Sequence, residues 1–335
     1  MKRILITKLA SLGDLIHLLP ALSDAASAIP GIQFDWVVDK NLQEIPLWHL
    51  SVHRVFLTNH RVWKKQLTSP NTRKEFSEVY QKLKKETYDL IIDAQGNFKS
   101  ALISTIAKGK RAGWDQASIP DWGAQIFYHK KYPASKNIHA IERLRHLLAG
   151  ALGYSLPSTS PDYQIDFSKF SPPTISLPTD YLLFVPIASY NSKLWPESHW
   201  KELIDLCIQA EKNILIPWGN EEEKKRAERL AISPQVTVLP RLSLNEIGHL
   251  VAKAKALVSV DTGFSHLAAA LGVPCITLYG PTDPKKTGTI GANQHWIQST
   301  QECPCSRKCK FEEKTPHCMS QIHPLSVWKD LKELL

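Results

Sequence analysis

Residues 256–279, ALVSVDTGFSHLAAALGVPCITLY, restrict the fold more than any other stretch of the chain. Residues 256–260 and 275–279 are apolar runs of strand length. Between them, 264–271 has helical character, and Gly272-Val273-Pro274 ends that helix. A strand, a tight turn at Asp261-Thr262-Gly263 and a helix N-terminus form a site for an anion. The first-turn N–H groups lack intrahelical partners, and the helix dipole is positive there. Thr262 and Ser265 add hydroxyl donors, and His266 faces the same ligand from the first turn. The plainer alternative is an ordinary βαβ unit with Asp261 as N-cap and His266 packed inside. The local pattern leaves both open.

The rest of the 335 residues repeats this grammar twice. In the first half, strands are expected at 3–7, 33–38, 54–57 and 90–93, with helices from about residue 14 and over 73–86. In the second half, strands are expected at 181–185, 213–217 and 235–239, with helices over 198–211, 221–232 and 244–253. Alternation of this kind points to parallel, doubly wound α/β sheets. The stretch 170–180, FSPPTISLPTD, reads as a linker between two domains. The expected division is therefore 1–170, 171–325 and a terminal helix 326–335 capped by Ser326. Ligands of such sheets sit outside the carboxyl ends of the strands. The loops to watch are 8–14, 93–99 and 261–266.

Hydrophobic content of 43% and charged content of 22% are those of a soluble globular protein. The N-terminal apolar stretch is broken by Lys8, Gly13, Asp14 and His17, so it reads as strand and helix rather than as a signal peptide. A cytoplasmic protein is expected. The net charge of +9 points to an anionic partner: nucleic acid, a membrane surface or a phosphorylated substrate. The clearest basic run spans 61–85. Most of its lysines read as a solvated helix face. Arg61, Lys64 and Lys65 surround Trp63 in a less regular segment and are the better ligand contacts. No nucleic-acid motif accompanies the charge, so nucleic acid is not an expected partner.

Six stretches then carry a resemblance: LITKLASLGDLIHLLPAL (5–22), YDLIIDAQGNFKSA (88–101), KLWPESHW (193–200), PWGNEEE (217–223), SVDTGFSHLAAALG (259–272) and LYGPTDP (278–284). Together they resemble the heptosyltransferase family of glycosyltransferases over essentially the whole chain. The resemblance implies a GT-B fold, with two Rossmann-like domains facing across a cleft. It also implies an inverting transfer of L-glycero-D-manno-heptose from ADP-heptose. The stretch 88–101 followed by 127–154 points to transfer onto Kdo of Kdo-lipid A, in the inner core of lipopolysaccharide. A heptosyltransferase of type II and a GT-B nucleotide-sugar 2-epimerase are the alternatives. The basic segment near residues 61–65 argues against the epimerase, which needs no acceptor surface.

The resemblance also assigns roles. Asp14 matches the family's proposed catalytic base; the bland reading of it is a helix N-cap. Lys193 matches the lysine on the diphosphate, and Ser189 falls where a hydroxyl binds phosphate. Ala188 departs from the family's tandem threonines, leaving Asn191 or Ser192 to replace one hydroxyl. Thr262 and Gly263 match backbone donors to the diphosphate, and Asp261 and His266 match positions beside the donor. Glu222 matches the ribose-holding acid, with the register within 221–223 open by one residue. Leu242 falls against adenine or into the core. Lys8, Arg61, Lys64 and Arg111 are candidate acceptor contacts, whereas Asp93 and Gln95 shape the cleft. No cofactor and no catalytic metal are expected. A structural zinc at Cys303, Cys305, Cys309 and Cys318 is the minority reading of the cysteine cluster. Cys207 and Cys275 are expected in the core. The expected state is a monomer on the cytoplasmic face of the inner membrane.

Overall fold

The computed structural model describes residues 2–66, 68–300 and 317–335; the side chains of Arg61, Lys64 and His317 lie outside the description. The chain forms two compact units, Met1–Lys169 and Phe170–Leu335. Among the described residues, each holds one six-stranded sheet in which every strand pair is parallel.

In the first unit the strands are β1 (Arg3–Thr7), β2 (Gln33–Asp39), β3 (Val52–Thr58), β4 (Thr87–Asp93), β5 (Lys108–Trp114) and β6 (Lys130–Tyr132). Their order is β3-β2-β1-β4-β5-β6, so the order reverses between β1 and β4. In the second unit the strands are β7 (Leu182–Val185), β8 (Ile214–Ile216), β9 (Val236–Val238), β10 (Ala256–Val260), β11 (Cys275–Tyr279) and β12 (Gln294–Gln298). Their order, β12-β11-β10-β7-β8-β9, is the same topology, with its switch point between β7 and β10. Both units are Rossmann-like, and a pair of such units is what a GT-B chain consists of.

Central strands are apolar on both sides because helices cover both faces of a parallel sheet. All residues of β7, β10 and β11 are buried. This is why continuous apolar runs located them. The strands β5 (KGKRAGW), β6 (KKY) and β12 (QHWIQ) lie toward the sheet edges and carry exposed polar residues, so the same criterion passed over them. The helix Ala140–Leu152 was also unassigned; it packs against Leu19–Ala28, with Arg145 Nε donating to Asp24 Oδ2 at 2.7 Å.

Two further expectations are corrected. The segment around Trp63 is a helix, His60–Lys65, because Trp63 is buried against Pro70–Lys85, donating to Glu75 and packing its ring edge-on to Phe76. The last helix is Pro324–Leu334 with His323 at its N-cap, not Ser326. Pro324, lacking an N–H, suits the first helical position. This helix packs against Glu197–Gln209 within the second unit. Cys207 and Cys275 are buried as expected, and Cys318 lies in the same unit's apolar core with Met319. Cys303, Cys305 and Cys309 lie outside the described residues.

His49 is buried in the first unit. Its Nδ1 accepts from the Ser51 N–H at 3.1 Å, which leaves the proton on Nε2, 3.0 Å from Ser23 Oγ; that hydroxyl donates to Leu19 O. Burial lowers its pKa from 6.5 to about 4, with Asp162 opposing. The unfolded chain therefore binds this proton below about pH 6.5, while the folded one waits until about 4. Stability should fall as the pH drops through that window, by at most about 3 kcal/mol, and be unaffected by His49 above it. Denaturant unfolding at pH 7.5, 5.5 and 4.5 checks this: His49→Gln should flatten the acid-side slope, and an unchanged slope would assign the acid sensitivity to other groups.

Candidate functional site

In the second unit the site begins at the carboxyl ends of β7 and β10, the two strands that flank the switch point. After β7 the chain runs through Ser189 to a short turn, Asn191–Lys193. After β10 it runs through Asp261 to the helix Gly263–Ala270. The two loops meet in one contact: Lys193 Nζ donates to Asp261 Oδ2 at 2.5 Å. Thr282, from the loop after β11, donates to the same oxygen at 2.8 Å. His266 Nε2 lies 3.9 Å from the other carboxylate oxygen. Four residues from three loops and a helix thus converge. A lysine ammonium carries three donors. With Asp261 taking one, two remain beside the N-terminus of the helix Gly263–Ala270.

The local alternative is corrected in one detail: the N-cap is Thr262, whose Oγ1 accepts from the Phe264 N–H at 3.3 Å, not Asp261. Asp261 is left to hold Lys193. Ser265 also departs from expectation. It is wholly buried, and its hydroxyl donates back to Thr262 O at 2.7 Å, so it is consumed by its own helix.

Arg226 went unnoticed in the sequence. It stands one helical turn after Glu222 on Glu221–Leu230 and donates to Pro186 O, Trp195 O and Glu197. These bonds clamp both ends of the Lys193 loop. Glu222 itself is exposed in the first turn of that helix, where Asn220 caps it; Glu223 instead accepts from the Gly219 N–H at 2.7 Å. The open register is thereby narrowed: Glu223 is occupied by the turn, and Glu222 is not. Leu242 is half-buried in the extended segment after β9 and does not join the core cluster. Ser189 and Asn191 are exposed whereas Ser192 is buried, so Asn191 is the better replacement for the hydroxyl missing at Ala188.

In the first unit the corresponding point lies after β1 and β4. Asp14 is exposed on the short helix Leu12–Ile16. The N-cap there is Ser11, and Asp14 sits at the third helical position. Its Oδ2 accepts from both the N–H and the hydroxyl of Ser11, each at 2.8 Å. Lys8 is buried, with Nζ donating to Ala94 O at 3.1 Å. Burial lowers its pKa; Asp14 and Asp93 oppose that, and Arg143 adds to it. Asp93 is fully buried and accepts four bonds: from the N–H groups of Gln95 and Gly96, from Ser100 Oγ, and from Tyr128 at 2.6 Å. Burial raises its pKa, and those donors pull the other way. Gln95 accepts from the Leu9 N–H. Both residues therefore brace the loops after β1 and β4.

Arg111 does not join this group freely: its Nε donates to Phe127 O at 2.8 Å, and its backbone N–H donates to His129. Arg143 and Tyr128 were missed because only the packing of Ala140–Leu152 and of the β5–β6 segment brings them to the end of the sheet; Ser100, seven residues after Asp93 on the helix Phe98–Ser104, carries no sequence signal of its own. Arg61 and Lys64 lie on the helix His60–Lys65, with side chains outside the description. Among the described residues, no group of three or more His, Cys, Asp or Glu could hold a metal ion. Nor is any helix long and apolar enough to cross a membrane.

Comparison with known proteins agrees with this geometry. The family model described as glycosyltransferase family 9 (heptosyltransferase) matches residues 76–316. Lipopolysaccharide heptosyltransferase 1 of Pseudomonas aeruginosa is 41% identical, covering 99% of this chain and 98% of its own. The solved structure of E. coli heptosyltransferase WaaC with ADP matches at 41% identity and a TM-score of 0.88, covering 99% of this chain and all of the other. The same enzyme with ADP-2-deoxy-2-fluoro heptose matches at 40% identity and a TM-score of 0.85. The nucleotide-sugar 2-epimerase alternative falls with these matches. By sequence and by fold, this chain belongs to glycosyltransferase family 9, the heptosyltransferases.

Proposed function

We infer that this protein transfers L-glycero-D-manno-heptose from ADP-heptose to Kdo of Kdo-lipid A, with inversion at the anomeric carbon, in building the inner core of lipopolysaccharide. The observation that carries it is the convergence of Lys193, Asp261, Thr282 and His266 on the N-terminus of helix Gly263–Ala270. Relatives bearing the type 1 name over nearly the full length favour this acceptor over that of a type II enzyme.

The chemistry divides between the units. Loss of ADP develops negative charge on the diphosphate. Lys193 and the backbone donors at Thr262 and Gly263 stabilise that charge from fixed positions, so little reorganisation is needed as it grows. Asp261 holds the ammonium in place and, with His266, borders the donor. Ser189, Glu222 and Leu242 contact the phosphate, the ribose and the adenine. In the first unit Asp14 takes the proton from the attacking Kdo hydroxyl. Its two bonds from Ser11 fix one carboxylate oxygen and leave the other to act as base. The acceptor carries carboxylates and phosphates, and Lys8, Arg61, Lys64 and Arg111 are the cations proposed to meet them. The enzyme works as a monomer that visits the cytoplasmic face of the inner membrane, where the acceptor's lipid tails reside.

Three outcomes are expected. Asp14→Asn should reduce transfer by about 10²–10⁴-fold while leaving ADP binding nearly intact. This is measured as ADP release with and without Kdo-lipid A beside calorimetry with ADP, and near-normal turnover would reduce Asp14 to the partner of Ser11. Activity should persist in EDTA, because no Asp-x-Asp pair lies in the donor half and Lys193 can neutralise the diphosphate. Loss restored by magnesium or manganese would overturn this, and loss restored only by zinc would implicate Cys303, Cys305, Cys309 and Cys318. Exchanging Lys64 and Lys65 for glutamate should raise the apparent KM for the lipid acceptor and weaken sedimentation with anionic vesicles, with little change for ADP-heptose. If neither moves, the acceptor is captured elsewhere.

A further inference from the structure

The first unit exposes four large apolar side chains on two touching elements. Phe98 and Leu102 lie one turn apart on the helix Phe98–Ser104 and are 52% and 51% exposed. That helix turns Ser100, Ala101 and Ser104 inward and packs Ile103 half-buried against the apolar core, while Phe98 and Leu102 point out. The segment between β5 and β6 supplies Trp122, 79% exposed, and Ile126, 70% exposed, with Phe127 packed edge-on to Phe98 at 5.2 Å. Gly123, at φ +97°, makes the turn between Trp122 and the short helix Ala124–Phe127 that carries Ile126. None of these four enters the site described above, and exposed apolar side chains gathered on touching elements mark a contact surface.

Its charge selects the partner. Residues 95–137 hold seven cations (Lys99, Lys108, Lys110, Arg111, Lys130, Lys131 and Lys136) against two acids, Asp121 beside Trp122 and Asp115, which lines the same concavity as Trp122. More than half of the chain's net +9 thus falls on this short stretch. Lys99 follows Phe98 directly, and Lys131 lines one shallow concavity with Trp122. All three of Lys99, Lys130 and Lys131 are exposed. Two copies of so cationic a face would repel across a two-fold contact. An anionic lipid surface attracts it, while the bilayer interface takes up tryptophan and aliphatic side chains.

We propose that Phe98, Leu102, Trp122 and Ile126, flanked by Lys99, Lys130 and Lys131, form a docking surface that seats this protein in the interface of an anionic bilayer. The proposal rests on the reading that the acceptor is held in a membrane. It places the apolar anchor on this face, apart from the cations at Lys64 and Lys65.

The test uses the full-length chain with vesicles of phosphatidylcholine and phosphatidylglycerol free of acceptor, and with vesicles of phosphatidylcholine alone. The wild type should sediment with the anionic vesicles, and more weakly with the neutral ones. Trp122→Ser combined with Ile126→Ser should weaken that binding by roughly tenfold or more, and Leu102→Gln should weaken it less. Brominated lipid should quench the wild-type tryptophan fluorescence and lose most of that effect in Trp122→Phe. Turnover on a deacylated Kdo acceptor should be unchanged in every variant, so failure of the transferase reading itself would show there, in the wild type. Wild-type binding that survives the double substitution overturns the surface. So does a loss of turnover on the deacylated acceptor, which would give the face to the acceptor itself. A wild-type dimer dissociated by Trp122→Ser overturns it in favour of a second copy, and a wild type that ignores both vesicles overturns membrane docking as a whole.

Discussion

A parallel strand covered by helices on both faces takes mostly apolar side chains along its length, so most of its charge emerges where the strand ends; Asp35 within β2 is the exception, buried against Arg54 and Tyr88. Thr7 to Lys8, Asp93, Val185 to Ser189 and Val260 to Asp261 are four instances of that rule in this chain. In each unit the strand order reverses between the two strands concerned, and their loops part to leave a crevice at the carboxyl edge. The apolar core thus fixes the position of the reactive groups as well as the stability of the fold.

The two units use that position differently. In the second, Asp261 is buried and Lys193 half-buried, with two ammonium donors left beyond their contact. Lys193 and Asp261 neutralise each other, Thr282 completes the carboxylate, and the helix N-terminus stands open. In the first, the innermost charges are enclosed. Asp93 is satisfied by four donors and Lys8 by a backbone carbonyl, so both hold loops in place. Only Asp14 is exposed there, with one oxygen tied to Ser11. A site that stabilises a leaving diphosphate needs donors in fixed positions, whereas a base needs one accessible carboxylate.

Positioning also falls to residues that never meet a ligand. Arg226 takes three acceptors on the segment 186–197, and burial lowers its pKa, though a guanidinium keeps its charge regardless. Because Glu222 and Arg226 share a helix face, the residue proposed for the ribose and the loop proposed for the diphosphate are tied to one rigid element. Tyr128 does the same work for Asp93, reaching it across β5 at Gly113, where a Cβ would collide with the tyrosine ring.

Local sequence determined the elements whose signal is local. The apolar runs of β1, β7, β10 and β11, the helix over 244–253 and the turn at Asp261–Gly263 were all legible, because burial on both faces and turn chemistry act within a few residues. The strands β5, β6 and β12 were not, since their pairing is set by a neighbouring strand and not by their own composition. Likewise the sequence named Lys193, Asp261, Thr262 and Asp14, but not what each touches. Only the tertiary structure decided that Asp261 grips Lys193 and leaves the cap to Thr262, that Ser265 turns inward, that Lys8 is enclosed, and that Arg226 and Tyr128 matter at all. Apart from the local bonds of Thr262 and Ser265, those are contacts between residues tens of positions apart, and only the packing of the sheets brings them together.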